Sequence, residues 1–299
     1  MRAAEVTAYG GPEVFGIADL PDPVAGPGEV VVNIHATAIN PTDLGTRAGQ
    51  AKRRLPDLEP PFVPGWDLAG EIAETGERVV GMIPFVAIGG RVGAYAEAAA
   101  VDPDWLAPLD DSVSFEVGAT LPLNALTANE ALERLALPPG SRVLVTGASG
   151  AVGGFATQLG SAAGLDVVAV ASEGDEDWVA SLGAAEVLPR DTDLSAIEPV
   201  DGVFDAVPLG PEKSTGALRD GGAAVFTRPP DPPEVGRGIR LDSFLVSPNQ
   251  PALVELSRKL AAGELRTRIA KVLPLDEVAE GHRLAEAGGL RGKVVLTTR

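Results

Sequence analysis

No cysteine occurs anywhere in the 299 residues. Disulfides, thiolate zinc sites and thiol catalysis are therefore excluded. Aromatic residues make up only 4% of the chain, too few for a stacking platform that binds single-stranded nucleic acid. Histidine is scarcer still: His35 lies in a strand-like pattern and His282 in a helix that reads as exposed. Two histidines so far apart in sequence read as structural, and no metal site is expected. Positive charge is also in deficit, with 24 Lys and Arg against 42 Asp and Glu and a formal charge of -18. Such a surface repels phosphate backbones and anionic membranes, so neither nucleic acid nor membrane is expected as a partner. No apolar run reaches the roughly 20 residues of a membrane helix. The stretch from Ala94 to Val101 is short, and Glu97 interrupts it. The N-terminal residues lack the pattern of a secretory signal, which makes a cytoplasmic location the expectation.

What is present is glycine (36), proline (26) and a 45% hydrophobic fraction, enough for a sizeable core cut by many tight turns. The first hundred residues read as β-rich, with strands over 29–38, 67–73 and 78–83 separated by Gly and Pro, as in a small barrel-like sheet. From about Asp110 the pattern changes. A helix is expected over 114–137, then strands at 142–145, 166–171, 186–188, 204–207 and 223–226, with helices over 154–163 and 177–182 between them. Strands alternating with helices imply a parallel, doubly wound α/β sheet. Helices over 251–262 and 275–287 and a strand over 293–298 follow, and 231–234 reads as a loop. The expected division is 1–113, 114–263 and 264–299, the last segment completing the first domain.

The most informative stretch runs from Arg142 to Gly154, where a buried strand enters a glycine cluster that opens a helix. Gly147 permits the tight turn, Gly150 lets the backbone approach a pyrophosphate, and Gly153 allows close helix–strand packing. Ser149, Gly150, Ala151 and Val152 lie between the strand and the helix, whose N-terminus supplies free N–H groups and favours negative charge. The spacing G-x-x-G-x-x-G departs from the commoner G-x-G-x-x-G, so the case rests on the strand before it and the helix and strand after it.

The end of the second strand bears on cofactor choice. A site for NAD(H) usually carries an acidic residue there. Here Ala171 and Ser172 leave room for a 2′-phosphate, to which Ser172 can donate, although Glu173, Asp175, Glu176 and Asp177 follow. Arg190 and Arg228 are the candidate cations. NADP(H) is favoured, with NAD(H) still open.

On these residues the chain resembles the zinc-independent quinone oxidoreductase branch of the medium-chain dehydrogenase/reductase superfamily. The motifs are Asn40-Pro41-Thr42-Asp43 with Arg47 and Gly49, Pro64-Gly65-Trp66-Asp67-Leu68-Ala69-Gly70, Leu121-Pro122-Leu123 with Leu126-Thr127-Ala128, and Leu273-Pro274-Leu275-Asp276 through His282 to Gly292-Lys293-Val294-Val295-Leu296. The resemblance implies a GroES-like barrel domain completed by the C-terminus, a Rossmann nucleotide domain, an active cleft between them and a homodimer. Zinc-using relatives place cysteine where Asn40 stands and a His-Glu pair where Trp66-Asp67 stands, so the expected ligands are absent.

The resemblance also implies roles. Asn40 lies near the nicotinamide, Thr127 near the pyrophosphate or ribose, and Phe244 near the nicotinamide amide, while Ser149, Gly150, Ala151 and Val152 form the phosphate-facing loop. Asn40 and Asp43 are the catalytic candidates. Asp43 and Arg47 either pair to fix the loop that carries Asn40, or Asp43 simply caps a helix and Arg47 is solvated. Phe62 and Trp66 line an apolar substrate pocket or belong to the core. A tyrosine common in the branch two residues after the motif aspartate is Gly45 here. The expected activity is metal-free, NADPH-dependent hydride transfer to a small electrophile, a quinone or an α,β-unsaturated carbonyl, with water as the source of the second proton. The competing reading is a nucleotide-binding sensor without turnover.

Overall fold

Pro122 divides what the sequence suggests is one helix over 114–137. Proline lacks the N–H that would bond four residues back, and its ring collides with the preceding turn. The result is a single turn at Phe115–Gly118, a bend, and a new helix that begins at Pro122. The computed structural model describes residues 1–207, 209–227 and 235–298, so the expected loop at 231–234 and the candidate Arg228 lie outside the described residues.

The chain runs β1 (Arg2–Val6), β2 (Phe15–Asp19), β3 (Val30–Ala38), α1 (Pro41–Arg47), β4 (Asp67–Ile72), β5 (Arg78–Met82), β6 (Ala98–Val101), β7 (Leu106–Pro108) and α2 (Phe115–Gly118). It continues through α3 (Pro122–Leu135), β8 (Arg142–Thr146), α4 (Ala151–Ala162), β9 (Asp166–Ala171), α5 (Glu176–Ser181), β10 (Glu186–Pro189), β11 (Val200–Asp205), α6 (Pro211–Ser214), β12 (Leu218–Phe226) and β13 (Arg240–Ser243). The remainder holds α7 (Gln250–Ala261), β14 (Ile269–Pro274), α8 (Val278–Ala287) and β15 (Lys293–Thr297).

Two units result, one of Met1–Leu123 with Ser247–Arg299 and one of Asn124–Val246. In the first, a seven-stranded sheet is ordered β14-β15-β3-β4-β5-β7, with β6 also paired to β3. Val32, Ile34, Leu68, Ile83 and Leu106 fill its interior. The C-terminal β15 runs antiparallel to β3, with Val295 opposite Ala38. That register carries the end of the chain to the residues just before α1. The sequence division at 263/264 left α7 with the nucleotide domain. In the structure α7 packs on β7 instead, where Ser257 donates to the Pro108 carbonyl at 2.6 Å.

The second unit is a six-stranded sheet ordered β10-β9-β8-β11-β12-β13, every pair parallel. Leu144, Val168, Val203, Ala224 and Phe226 build its core. The strand order reverses direction between β8 and β11, the point in such sheets where ligands bind beyond the carboxyl ends.

Two further expectations need correction. Helix α4 begins at Ala151, three residues earlier than expected, because Gly150 is extended (φ -83°, ψ 172°) and acts as the N-cap. His282 is fully buried. It lies on the inward face of α8 with Val278 and Gly281, and a Cβ on Gly281 would stand only 2.6 Å from Ile39 Cδ1. The helix therefore sits too close for that face to be wet.

Candidate functional site

In the first unit Asn40 and Asp43, the catalytic candidates, join Asp67 and Lys293 in one buried polar cluster. Asn40 caps α1, and its backbone N–H donates to Asp43 Oδ2 at 2.8 Å. Its side-chain Nδ2 donates to Asp67 Oδ2 at 2.7 Å and to the Ala38 carbonyl at 3.2 Å. Lys293 Nζ donates to Asn40 Oδ1 at 2.6 Å and to the Ile39 carbonyl at 2.5 Å. The other oxygen of Asp67 accepts from the Leu123 N–H at 2.7 Å. Asn40, Asp43 and Asp67 are at most 1% exposed and Lys293 7%.

Such a cluster can exist only because its charges oppose one another. Burial pushes the Asp43 carboxyl up to about 7, against the pull of the Asn40 N–H; the Asp67 charge adds to the rise and Lys293 opposes it. Burial likewise pushes Asp67 up to about 6, with Lys293 opposing. Burial pushes the Lys293 ammonium down, and the two carboxylates resist. Both carboxyls beside Asn40 are thus held above the usual carboxylate range.

Arg47 does not turn to Asp43. Its Nε donates to the Gly10 carbonyl at 3.0 Å, its NH1 meets His282 Nδ1 at 3.2 Å, and its NH2 pairs with Glu286. The helix cap is found for Asp43, but Arg47 is buried rather than solvated, because Gly10, His282 and Glu286 take up its guanidinium. His282 Nε2 in turn meets the Tyr95 hydroxyl at 3.2 Å. Burial, and secondarily the Arg47 charge, depress His282 to about 3.

Phe62 and Trp66 are buried, at 7% and 1% exposure. Phe62 packs at 6.0 Å from Tyr9 and 6.2 Å from Phe85, ring centre to ring centre. Trp66 Nε1 has no hydrogen-bond partner among the described residues, an uncommon state for a buried indole.

In the second unit the glycine turn joins β8 to α4. Gly147 adopts φ +65°, and a Cβ there would lie 2.5 Å from Val207 Cγ1. A Cβ on Gly153 would fall 2.6 Å from the Gly147 carbonyl carbon, so this glycine is required for helix and turn to meet. A Cβ on Gly150 would press less closely, 3.3 Å from the Gly147 carbonyl oxygen, and this glycine offers no side-chain cap to the helix. The backbone N–H groups of Ala151 and Val152 open α4 with that end uncapped, a fitting cradle for a pyrophosphate. Ser149 ties this turn to the neighbouring strand, because its Oγ accepts from the Ser172 N–H at 2.8 Å.

The half-buried Ser172 follows the last residue of β9. Pro189 of β10 pairs with Ala171, so the exposed Arg190 leaves the sheet in the same register as Ser172. Thr127 sits in α3 at 8% exposure. Phe244 follows β13 at 6% exposure, with the Arg134 guanidinium 4.9 Å from its ring centre.

Sequence reasoning missed three contributors. Lys293 was visible only as part of a C-terminal motif. Asp67 was noted for a missing zinc ligand rather than as an anchor for Asn40. Asp205, at the end of β11, accepts from Thr146 Oγ1 at 2.6 Å and Ser214 Oγ at 2.8 Å, which ties the β11–α6 loop to the end of β8. An acidic residue closing an apolar strand was the only available signal for it. Among the described residues no group of three or more His, Cys, Asp or Glu is placed to hold a metal, and no helix is long and apolar enough to cross a membrane.

Comparison with known proteins agrees with this architecture. Residues 26–111 match the alcohol dehydrogenase GroES-like domain, and residues 182–296 match the family described as zinc-binding dehydrogenase. The 2-methylene-furan-3-one reductase of Solanum lycopersicum is 31% identical over 99% of this chain and 79% of its own length. The quinone oxidoreductase of Lama guanicoe is 30% identical over 99% of this chain and 97% of its own. Among solved structures, the quinone oxidoreductase of Thermus thermophilus, determined also in complex with NADPH, superposes with a TM-score of 0.82 at 33% identity, covering 99% of this chain and 100% of that one.

Proposed function

The chain belongs to the quinone oxidoreductase branch of the medium-chain dehydrogenase/reductase superfamily and is an oxidoreductase of that kind, and we propose that it reduces quinones or α,β-unsaturated carbonyls with NADPH and without a metal. The observation that carries this reading is the uncapped start of α4 at Gly150, at the point where the parallel sheet reverses its strand order. When bound there, the nicotinamide cofactor supplies the hydride, and the protein supplies binding, orientation and a dry surround.

In this reading the backbone N–H groups of Ala151 and Val152 receive the pyrophosphate, Gly150 lets it approach, Gly147 and Gly153 shape the turn, and Ser149 ties that turn to the neighbouring strand. Ser172 and Arg190 hold the 2′-phosphate, and that pair favours NADPH over NADH. Thr127 and Phe244 border the ribose and nicotinamide. The Asn40 cluster, with Asp43 bracing its backbone, serves the reacting end of the cofactor. Phe62 and Trp66 border the acceptor. The unpartnered Trp66 Nε1–H gives the acceptor carbonyl oxygen a donor as negative charge develops on it. Water supplies the second proton.

The polar atoms of this cluster are already engaged, which supports metal independence. Asn40 Oδ1 is taken by an ammonium, and the Asp67 carboxylate is taken by Asn40 and the Leu123 N–H. A cation entering here would meet Lys293. Both acceptor classes take hydride without strong Lewis-acid help, and the name of the tomato relative, a 2-methylene-furan-3-one reductase, describes action on a conjugated enone.

The test is oxidation of NADPH and of NADH by chelator-dialysed protein against a panel of quinones and 2-alkenals. The expected result is NADPH turnover with at least one class, unchanged by the chelator. Activity lost on chelation and restored by zinc would overturn metal independence. Absence of turnover with every acceptor would overturn the reductase reading.

A further inference from the structure

An asparagine amide has nearly the same shape after a half-turn that exchanges its oxygen and nitrogen, so its partners decide which way it points. At Asn40 those partners are one-sided. An ammonium can only donate, so Lys293 selects the amide oxygen at 2.6 Å. A carboxylate can only accept, so Asp67 selects the amide nitrogen at 2.7 Å. Lys293 also holds the Ile39 carbonyl at 2.5 Å, which fixes the backbone from which Asn40 departs. The sheet delivers this lysine, because Lys293 opens β15, and the Val294 carbonyl accepts the Ile39 N–H at 2.9 Å.

We propose that Lys293 is a positioning residue of the reduction site: by donating to Asn40 Oδ1 and the Ile39 carbonyl, it holds the Asn40 amide in one of its two orientations for the cofactor's reacting end. This rests on the reading that Asn40 serves that end. It differs from a charge-balancing role, in which any arrangement that neutralises Asp43 and Asp67 would do.

The two roles part in a double variant. Lys293→Met leaves two buried carboxylates without their cation and lowers the melting temperature. Adding Asp67→Asn removes one of those charges. It also gives position 67 an NH2 group that can face Asn40 once its own oxygen takes the Leu123 N–H, and the Asn40 amide then turns. The experiment compares wild type, Lys293→Arg, Lys293→Met and Lys293→Met/Asp67→Asn in the full chain. The readouts are melting temperature, NADPH affinity by fluorescence, kcat with a quinone, and the Asn40 side-chain amide resonances.

Expected for the double variant is a melting temperature recovered toward wild type, shifted Asn40 amide resonances, and a kcat reduced on the order of 10²-fold. Lys293→Arg, which keeps a donor at the amide oxygen, retains more turnover than either Met variant. Recovery of kcat together with the melting temperature, or unshifted Asn40 resonances, would overturn the proposal. Should Lys293→Met alone fail to fold, the double variant and Lys293→Arg carry the test. If wild type oxidises neither nucleotide, the reductase reading fails on its own, and the Asn40 resonances still decide whether Lys293 orients the amide.

Discussion

Arg47 NH1 donates to His282 Nδ1 at 3.2 Å, and that contact fixes the tautomer of the histidine. A guanidinium has no acceptor, so Nδ1 must carry the lone pair. The ring hydrogen then lies on Nε2, 3.2 Å from the Tyr95 hydroxyl. The histidine that the sequence placed on an exposed helix face is instead a neutral link between a buried arginine and a buried tyrosine.

A pH dependence of stability follows. His282 titrates at about 3 in the fold, against 6.5 when free. Between those values the unfolded chain binds a proton that the folded chain refuses, so stability falls as pH falls through that window, by up to about 1.4 kcal/mol per pH unit. Asp43 and Asp67, raised to about 7 and about 6, act oppositely, because the fold takes up their protons first; their contribution is lost as pH rises from about 4 to about 7. The difference between wild type and His282→Gln isolates the histidine. Urea midpoints at pH 7 and pH 5 should show wild type losing more stability on acidification than the variant. Equal losses would exclude a buried neutral His282.

The glycine turn makes a paired prediction. Gly153→Ala places a methyl group 2.6 Å from the Gly147 carbonyl carbon, and the overpacking should cost about 1–3 kcal/mol. Gly150→Ala makes a tight but lesser contact, 3.3 Å from the Gly147 carbonyl oxygen, and should cost less stability than Gly153→Ala, while its methyl obstructs the pyrophosphate and weakens NADPH binding about tenfold or more, roughly 1.4 kcal/mol. Melting temperatures and fluorescence titration check both, and the account requires that the two variants not behave alike.

Local signals were legible in the sequence and long-range ones were not. The strand–glycine–helix unit at 142–162 declares itself because its parts are contiguous and its residue types have few other uses. Asn40 and Asp43 could be singled out, and their cap is a three-residue relationship. Lys293 is far from Asn40 in sequence, and only the pairing of β15 with β3 brings them together. The short β1, β2, β6, β7, β13 and β14 give too little alternation to read: β1 buries Ala3, Ala4 and Val6, β6 and β7 are only four and three residues long, and β2, β13 and β14 are partly exposed. The burial of His282 depends on Gly281 letting Ile39 approach, which no periodicity reports.

Cofactor preference can be tested at the end of β10. Arg190→Ala should weaken NADPH binding about tenfold, the loss of a charge-assisted contact worth about 1.5–3 kcal/mol at most, and leave NADH binding unchanged. Equal effects on the two nucleotides would remove Arg190 from the 2′-phosphate site.

Two effects oppose one another at Trp66. Its Nε1–H is buried without a partner among the described residues, so Trp66→Phe removes an unmet donor, which offsets part of the cost of the space that the smaller ring leaves in a fully buried site. Turnover of an enone should fall about tenfold with NADPH affinity unchanged, equivalent to roughly 1.4 kcal/mol of transition-state stabilisation. Full activity in that variant would assign the indole to packing alone.

Direct hydride transfer is the central claim, and isotope transfer tests it most closely. The protein is incubated with NADPH deuterated at C4 of the nicotinamide, on the face that is transferred, and a 2-alkenal, and the product is examined by mass spectrometry. The account predicts one deuterium on the β-carbon of the saturated aldehyde and a solvent-derived hydrogen on the α-carbon. A reduced product without deuterium from either face, or bound NADPH that is never consumed with any quinone or alkenal, would contradict it.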